Sequence, residues 1–312
     1  MQLSQRMGQL GTESAFEVLA RANALAAKGK SVINLGIGQP DFPTPPHVVE
    51  AGRKALADGH HGYTPANGIL PLREAVAADI RKYRGVEVSP EDIVIVPGGK
   101  VNMAFAMLMF GEPGAEILYP DPGFPIYQSV IKFSGATTVP YPLYESNGFS
   151  FSAEEVLSKL TPRSRLLIIN SPANPPGGVV PKAALDRLVA GLDRFPDVVV
   201  MSDEIYGRMV YGNQAHASLM PYDAIRDRLI LLDGWSKTYA MTGWRLGYGV
   251  WPSGLAELAT RLSINVHSCV NAATQYAGIA ALTGPQFAGD TLMRAFGERR
   301  TARIWALNRL PG

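Results

Sequence analysis

Short apolar runs alternate with longer amphipathic stretches along this chain. Most of the apolar runs are rich in β-branched residues or leucine and lack strict alternation with polar residues, as expected of strands buried on both faces. The predicted strands are Ile93–Val96, Glu116–Tyr119, Arg165–Asn170, Val198–Ser202, Leu229–Asp233 and Tyr248–Val250. This alternation predicts an α/β fold in which helices cover both sides of a mostly parallel sheet.

Helices are predicted where apolar residues recur with helical spacing. They are Val101–Phe110, Phe124–Phe133, Pro181–Arg194, Pro252–Leu282 and Gln286–Leu307. Ser14 and Glu17 have the spacing of a capping box, and Pro71 suits the first turn of a helix.

Composition narrows the class of protein. The 312 residues include 29 basic and 27 acidic ones without long runs, which argues against nucleic acid or a membrane surface as the main partner. A single cysteine, Cys269, excludes an intrachain disulfide framework, and the five histidines show no spacing typical of metal ligands. The sequence therefore predicts no metal site. No apolar run approaches membrane-spanning length, so the sequence predicts a cytoplasmic chain.

Lys237 directly follows a predicted strand, where open α/β sheets bind their ligands. A lysine there can form a Schiff base if its surroundings lower its pKa. Arg245, eight residues further on, offers a guanidinium fork suited to a phosphate. Most pairs of a lysine and an arginine are ordinary surface residues, but the aromatic residues and glycines around Lys237 and Arg245 favour a binding site.

Two further strand ends carry polar groups. Asp203 follows the strand Val198–Ser202, and a carboxylate there needs a positive partner, such as a protonated pyridine nitrogen, or else caps a turn. Asn174 precedes a proline and is therefore held extended, so that its amide can point into a cleft.

The remaining candidates are weaker when taken singly. Gly99 and Lys100 lie between a strand and a helix, where backbone N–H groups can bind a phosphate. Phe124 could stack on a flat ring or belong to the core, and Tyr63 is a loop phenol that could reach a phosphate.

Taken together and in this order, these residues resemble the class I/II aminotransferases, the fold type I pyridoxal-phosphate enzymes, and their bacterial aspartate and broad-range branch in particular. The most specific segments are Ser236-Lys237 followed by Ala240–Arg245, and the Asn34–Phe42 loop. The resemblance covers nearly the whole chain and implies a seven-stranded, mostly parallel sheet sandwiched by helices.

The resemblance also implies the cofactor, pyridoxal 5′-phosphate, and a role for each candidate. Lys237 would hold the cofactor as an internal aldimine and move the substrate α-proton, while Asp203 would keep the pyridine nitrogen protonated. Tyr206 and Asn174 would hydrogen-bond the phenolic oxygen, and Phe124 would stack on the ring. The phosphate would be held by the backbone at Gly99 and Lys100, by Ser236 and Arg245 and, from the neighbouring subunit of a homodimer, by Tyr63. Gly38, Phe124 and Asn174 would face the substrate.

The expected reaction is ping-pong transamination between an L-α-amino acid and a 2-oxo acid. A carbon–sulfur β-lyase on the same scaffold and an inactive cofactor-binding fragment or module are the alternatives. The predicted division is an arm and part of a small domain over 1–42, a large cofactor-binding domain over 43–285, and the start of a truncated small domain over 286–312. Gly234 stands where many members of the family have a phosphate-binding serine.

Overall fold

The fold is described from a computed structural model over residues 1–212 and 214–310. Asn213 and the last two positions of the predicted third segment, Pro311 and Gly312, lie outside the described residues. Within this part of the chain the strands are β1 (Ile93–Val96), β2 (Glu116–Asp121), β3 (Thr137–Pro142), β4 (Ser164–Asn170), β5 (Val199–Asp203), β6 (Leu229–Gly234) and β7 (Gly247–Val250).

The α-helices surround this sheet. They are α1 (Ser14–Ala27), α2 (Pro46–Ala57), α3 (Leu70–Arg84), α4 (Lys100–Phe110), α5 (Pro125–Ser134), α6 (Ala153–Ser158), α7 (Lys182–Leu192), α8 (Ser253–Val266), α9 (Ala272–Thr283) and α10 (Phe287–Leu307). Short 3-10 helices lie at Gln5–Gln9, Pro90–Asp92, Glu145–Asn147, Asp223–Arg228 and Thr242–Trp244. None of the described helices is both long and apolar enough to cross a membrane.

The strands form one sheet in the order β1-β7-β6-β5-β4-β2-β3. Only β7 runs antiparallel to its two neighbours, β1 and β6, and the other pairs are parallel. The predicted α/β class and mostly parallel sheet are therefore confirmed.

Both faces of the sheet are buried, as the continuous apolar runs predict. In β1, Ile95 packs into one core layer with Leu72 of α3, whereas Val94 and Val96 pack into the other layer with Met103 of α4. All four residues of β1 are fully buried. The helices thus lie on the two faces and leave the strand ends free to carry function.

Strand β3 was not predicted from the sequence. It pairs only with β2 at the edge of the sheet, and most of its residues are exposed or half-buried. Its two prolines, Pro140 and Pro142, suit an edge because they cannot donate to a further strand. An edge strand of this kind lacks the apolar run by which the other strands were recognised.

Two local predictions about helices were wrong. The stretch predicted as one helix, Pro252–Leu282, is two helices, because Ser268 takes a φ of 64° and the Asn271 side chain then caps α9 by accepting from Thr274 N at 3.0 Å. The capping box at Ser14 does not form either. Helix α1 is preceded by Glu13, whose side chain makes no capping bond because it pairs with Lys100.

Candidate active site

The carboxyl ends of β1, β2, β4, β5 and β6 meet at one edge of the sheet. Strands β1 and β6 run in the same direction because both are antiparallel to β7. The neighbouring pairs β6–β5, β5–β4 and β4–β2 are all parallel, so these strands share that direction. Each predicted site residue that follows a strand is therefore brought to this edge, where α/β sheets bind ligands.

Asp203, the last residue of β5, is a buried carboxylate with little to neutralise it. Its side chain accepts a 2.6 Å hydrogen bond from the Tyr127 hydroxyl and a 3.3 Å bond from Ile205 N. Burial raises the pKa of Asp203 to about 6, and the neighbouring Asp233 and Glu204 carboxylates act in the same direction. No lysine or arginine in residues 1–212 and 214–310 forms an ion pair with it, so the site has room for a cationic partner.

Lys237 lies three residues beyond the end of β6 and is half-buried. Its Nζ atom donates a 2.5 Å hydrogen bond to the Gly38 carbonyl and lies 5.7 Å from the centre of the Tyr206 ring. Burial lowers the pKa of Lys237, and the positive charges of Lys100 and Arg245 lower it further against the opposing effect of Glu13. A lysine whose pKa is lowered in this way has the character of an amine nucleophile or base.

The loop after β4 is attached to the same strand ends. Asn170 accepts a 2.8 Å hydrogen bond from Asn174 N and donates to the Asp203 carbonyl at 3.2 Å. These bonds fix Asn174, which is half-buried, beside β5. Tyr206 follows β5, and burial together with the Asp203 charge raises its pKa to about 12, so it is a hydrogen-bond donor at neutral pH.

Phe124 immediately precedes α5 and contacts Tyr127 edge-on, with ring centres 5.9 Å apart. It is half-buried rather than enclosed in the core, so its ring borders the site. Tyr127 was not predicted as a site residue, because an aromatic residue at an apolar position of an amphipathic helix is typical of the hydrophobic core.

The turn after β1 is built so that bare backbone faces Arg245. Gly98 has a φ of 92°, and a Cβ atom added to it would lie 2.1 Å from Arg245 Nη2. Arg245 is held there by a bond from its Nη1 to the Thr242 carbonyl at 2.7 Å. Gly99 and Lys100 then open helix α4, and the result is a set of N–H groups beside a guanidinium, which suits a phosphate.

Glycine at position 234 has a packing reason. A Cβ atom there would lie 2.9 Å from Gly247 Cα and 3.1 Å from the Leu246 carbonyl oxygen of the adjacent strand β7. A serine at this position therefore requires the backbone to move, and Ser236 is the hydroxyl that remains near Lys237 in the chain.

Beneath the strand ends lies a buried charge network that the sequence did not predict. Arg84 of α3 donates to Glu204 at 2.8 Å and to Asp233 at 2.6 Å, and its side chain is 6% exposed. Burial alone would raise the pKa of Glu204, but Arg84 and His216 lower it to about 2. This network fixes Glu204, which directly follows Asp203, and Asp233, which directly follows the apolar residues of β6.

Tyr63 is the one predicted residue that stays apart from the others. Its side chain is 92% exposed, and its hydroxyl makes no hydrogen bond within the described residues. Gly38 is exposed as well, but its carbonyl contacts Lys237. No group of three or more His, Cys, Asp or Glu residues is placed to bind a metal ion in the ranges 1–212 and 214–310.

Comparison with known proteins decides the family. The family model for aminotransferase class I and II matches residues 30–310. The chain belongs to this family. It is 34% identical over 314 residues to the bifunctional aspartate aminotransferase and glutamate/aspartate-prephenate aminotransferase of Petunia hybrida, covering 99% of this chain and 65% of that protein. It is also 34% identical over 308 residues to aromatic-amino-acid aminotransferase 2 of Thermococcus litoralis, covering 98% of this chain and 78% of that protein.

The fold agrees with this family. The crystal structure of the aspartate aminotransferase from Rhizobium meliloti superimposes with a TM-score of 0.94 at 31% identity, covering 100% of this chain and 78% of that one. The predicted fold type I is therefore confirmed. The chain spans about two thirds to four fifths of the length of the relatives that it matches.

Enzymes of the class I and II aminotransferase family use pyridoxal 5′-phosphate, and the residues present fit this cofactor. Within the described residues the buried Asp203 carboxylate has no cationic partner, and a protonated ring nitrogen would supply one. The Arg245 guanidinium packed against Gly98 and the N-terminus of α4 at Lys100 offer donors to a phosphate, and Lys237 is an amine of lowered pKa.

Proposed function

We propose that this chain catalyses transamination between an L-α-amino acid and a 2-oxo acid, with pyridoxal 5′-phosphate at Lys237. The observation that carries the proposal is that two groups, Asp203 and Lys237, lie at the ends of adjacent strands. Strand β5 ends in a buried carboxylate without a cation, and β6 leads to a lysine whose pKa burial lowers. An electron-accepting pyridinium ring and a base at its reactive end need these two groups.

The binding roles follow from the position of each side chain. Asp203 would accept a hydrogen bond from the ring nitrogen, and Tyr206 and Asn174 would donate to the phenolic oxygen. Phe124 would lie against the ring face. The groups proposed for the phosphate are the backbone at Gly99 and Lys100, the side chains of Ser236 and Arg245 and, across a dimer, Tyr63. Gly38, Phe124 and Asn174 would border the substrate.

When bound, pyridoxal phosphate supplies a carbonyl group that reacts with amines and a ring that accepts the electron pair of the α-carbon. The chain supplies the proton transfers. Lys237 Nζ, once free, would act as the base that takes the α-proton of the amino acid and then as the acid that gives a proton back. In the second half of the reaction the same nitrogen acts in the reverse direction on the incoming oxo acid, so one base serves twice.

Each carboxylate and phenol keeps one protonation state during this cycle. Asp203 stays ionised opposite a cationic nitrogen because the Tyr127 hydroxyl stabilises its charge. Tyr206 stays protonated, since its pKa is raised to about 12. The Gly38 carbonyl holds the Lys237 amine at the strand end.

Steady-state transamination tests this proposal. The purified chain with pyridoxal phosphate, L-phenylalanine or L-aspartate, and pyruvate should produce alanine in a one-to-one ratio with the oxo acid of the donor. Lys237→Ala should abolish turnover, whereas Lys182→Ala, which removes an exposed lysine of α7, should not change it. Ammonia release that needs no oxo acid would contradict transamination and indicate a lyase.

We further propose that the active unit is a homodimer in the cytoplasm. The exposed Tyr63 supports the dimer, because its hydroxyl makes no hydrogen bond within residues 1–212 and 214–310 and is open to a second subunit. The division at 42/43 and 285/286 and the cytoplasmic location stay predictions.

A further inference from the structure

An ion pair between distant parts of the chain lies beside the proposed site. The Glu13 carboxylate, directly before α1, pairs with the Lys100 ammonium at the start of α4. The two residues are 87 positions apart in the sequence, and their side chains are only 21% and 40% exposed. No role for Glu13 follows from the motifs that identify the family.

The pair lies close enough to Lys237 to act on it. Glu13 raises the pKa of Lys237 and Lys100 lowers it, and Glu13 also raises that of Tyr206. Lys100 Nζ also lies 5.1 Å from the centre of the Phe124 ring, which borders the site, so the pair lies at the edge of the site.

Aromatic rings enclose the Lys100 ammonium. Its Nζ atom lies 5.3 Å from the centre of the Phe16 ring and 5.1 Å from that of the Phe124 ring. The Phe16 side chain is 55% exposed in spite of its size. The surface around the ion pair therefore offers apolar contact to a neighbouring group.

The charges of Glu13 and Lys100 determine which substrate side chain can lie beside the pair. An unpaired ammonium beside the reacting amine would attract a substrate with an acidic side chain. With Glu13 in place that charge is already neutralised, and a second carboxylate would have to displace Glu13 or lie beside it. An uncharged side chain meets no such cost and gains contact with the rings.

We propose that Glu13 determines substrate specificity by neutralising Lys100, so that the enzyme prefers amino acids with apolar or aromatic side chains to dicarboxylic ones. The proposal rests on the function proposed above, since it specifies the substrate class of the same site.

The names of relatives do not decide this preference. Proteins at the same 34% identity to this chain are called an aspartate and an aromatic-amino-acid aminotransferase. The charge of the Glu13–Lys100 pair is a property of this chain and can be tested directly.

The first test is the ratio of kcat/KM for L-phenylalanine to that for L-aspartate, with pyruvate as acceptor. Glu13→Gln should shift this ratio toward aspartate by about fivefold, the effect expected of one partly exposed charge pair. Glu17→Gln, one turn further along α1 and exposed, carries no ion pair in the part of the chain described and should leave the ratio unchanged. An equal loss with both substrates would overturn the proposal, because it would mean that the pair only fastens α1 to the site.

The second test needs no turnover. Binding of maleate and of 3-phenylpropionate to the cofactor-loaded protein is measured by calorimetry. Glu13→Gln should tighten maleate relative to 3-phenylpropionate by about the same fivefold factor. Glu17→Gln is the control and should leave the ratio of the two binding constants unchanged.

The two proposals fail in different ways. If the wild-type chain transaminates no amino acid, the proposed function fails, and the ratio of binding constants still tests the role of Glu13. If it transaminates but neither ratio responds to Glu13→Gln, the specificity proposal alone is wrong.

Discussion

The hydroxyl of Tyr127 donates a 2.6 Å hydrogen bond to Oδ2 of Asp203, and both side chains are buried. The bond joins the first turn of α5 to the end of β5. It is the only hydrogen bond that the Asp203 carboxylate accepts from a side chain in the described part of the chain. Tyr127 therefore positions the carboxylate on which the proposed cofactor chemistry depends.

Replacing Tyr127 by phenylalanine should destabilise the protein in a pH-dependent way. Above about pH 6 the Asp203 carboxylate is ionised, and loss of a hydrogen bond to a buried charge costs about 1.5–3 kcal/mol. Below pH 5 the carboxyl is protonated, and the loss should be smaller. Denaturant unfolding at pH 5 and pH 8 measures the difference.

Tyr141→Phe is the matched control. Tyr141 is equally buried but donates to a neutral group, the Ile168 carbonyl, at 2.6 Å. Its loss should cost the same free energy of unfolding at both pH values. If the Tyr127 and Tyr141 variants respond to pH alike, Tyr127 does not stabilise the charge of Asp203.

Asp203→Asn should stabilise the cofactor-free protein at neutral pH. The pKa of Asp203 is raised from 3.8 to about 6, so the folded protein holds this proton more tightly than the unfolded chain does. Stability from this group is therefore lost as pH rises from about 4 through 6, by about 3 kcal/mol in total at about 1.4 kcal/mol per pKa unit.

The measurement is the free energy of unfolding from pH 4 to pH 8. The asparagine variant should exceed the wild type by up to about 3 kcal/mol above pH 6 and match it near pH 4. Asp121→Asn, at an exposed strand end, is the control and should show no such divergence. Parallel pH profiles for wild type and Asp203→Asn would contradict the raised pKa.

Arg84→Met should be severely destabilising. It leaves the buried Glu204 and Asp233 carboxylates without their cation, for which about 3–5 kcal/mol is expected. The pKa of Glu204 is lowered to about 2, so the wild type should keep this stabilisation above pH 4.5 and lose it as pH falls toward 2. Arg81→Met on the same helix breaks an exposed pair with Glu87 and should cost less than about 1 kcal/mol.

Sequence alone predicted the parts of the fold that rest on continuous burial. Runs such as Ile93–Val96 are apolar because both faces of the strand are covered, and this leaves a clear pattern. Strand Thr137–Pro142 leaves no such pattern, because one side of it has no neighbour. The break at Ser268 depends on a single residue with positive φ, which the helical spacing on either side conceals.

The same distinction applies to the site. Lys237, Asp203 and Asn174 were found because each lies at or within four residues of the end of an apolar strand, and parallel strands bring their ends together. Tyr127 and Glu13 were missed because their roles depend on partners 76 and 87 residues away. No local pattern records such a contact.

Tyr63→Phe tests the proposed dimer. If the phenol of one subunit reaches the phosphate bound by the other, its loss should weaken pyridoxal phosphate binding about tenfold, the value of one hydrogen bond to a charged group. Fluorescence titration with the cofactor measures this. Tyr144→Phe alters another exposed tyrosine and serves as the control. Unchanged affinity in the Tyr63 variant, or a monomer in sedimentation equilibrium at the titration concentration, would contradict the shared site.

The central claim is that Lys237 is the attachment point of pyridoxal phosphate. The most direct test is to add the cofactor to the purified chain, reduce with borohydride and map the modified peptide by mass spectrometry. The account predicts a visible absorption band that changes when an L-amino acid is added, and a single pyridoxyl group on Lys237. Modification of Lys100 or of exposed lysines instead, with no such band, would contradict it.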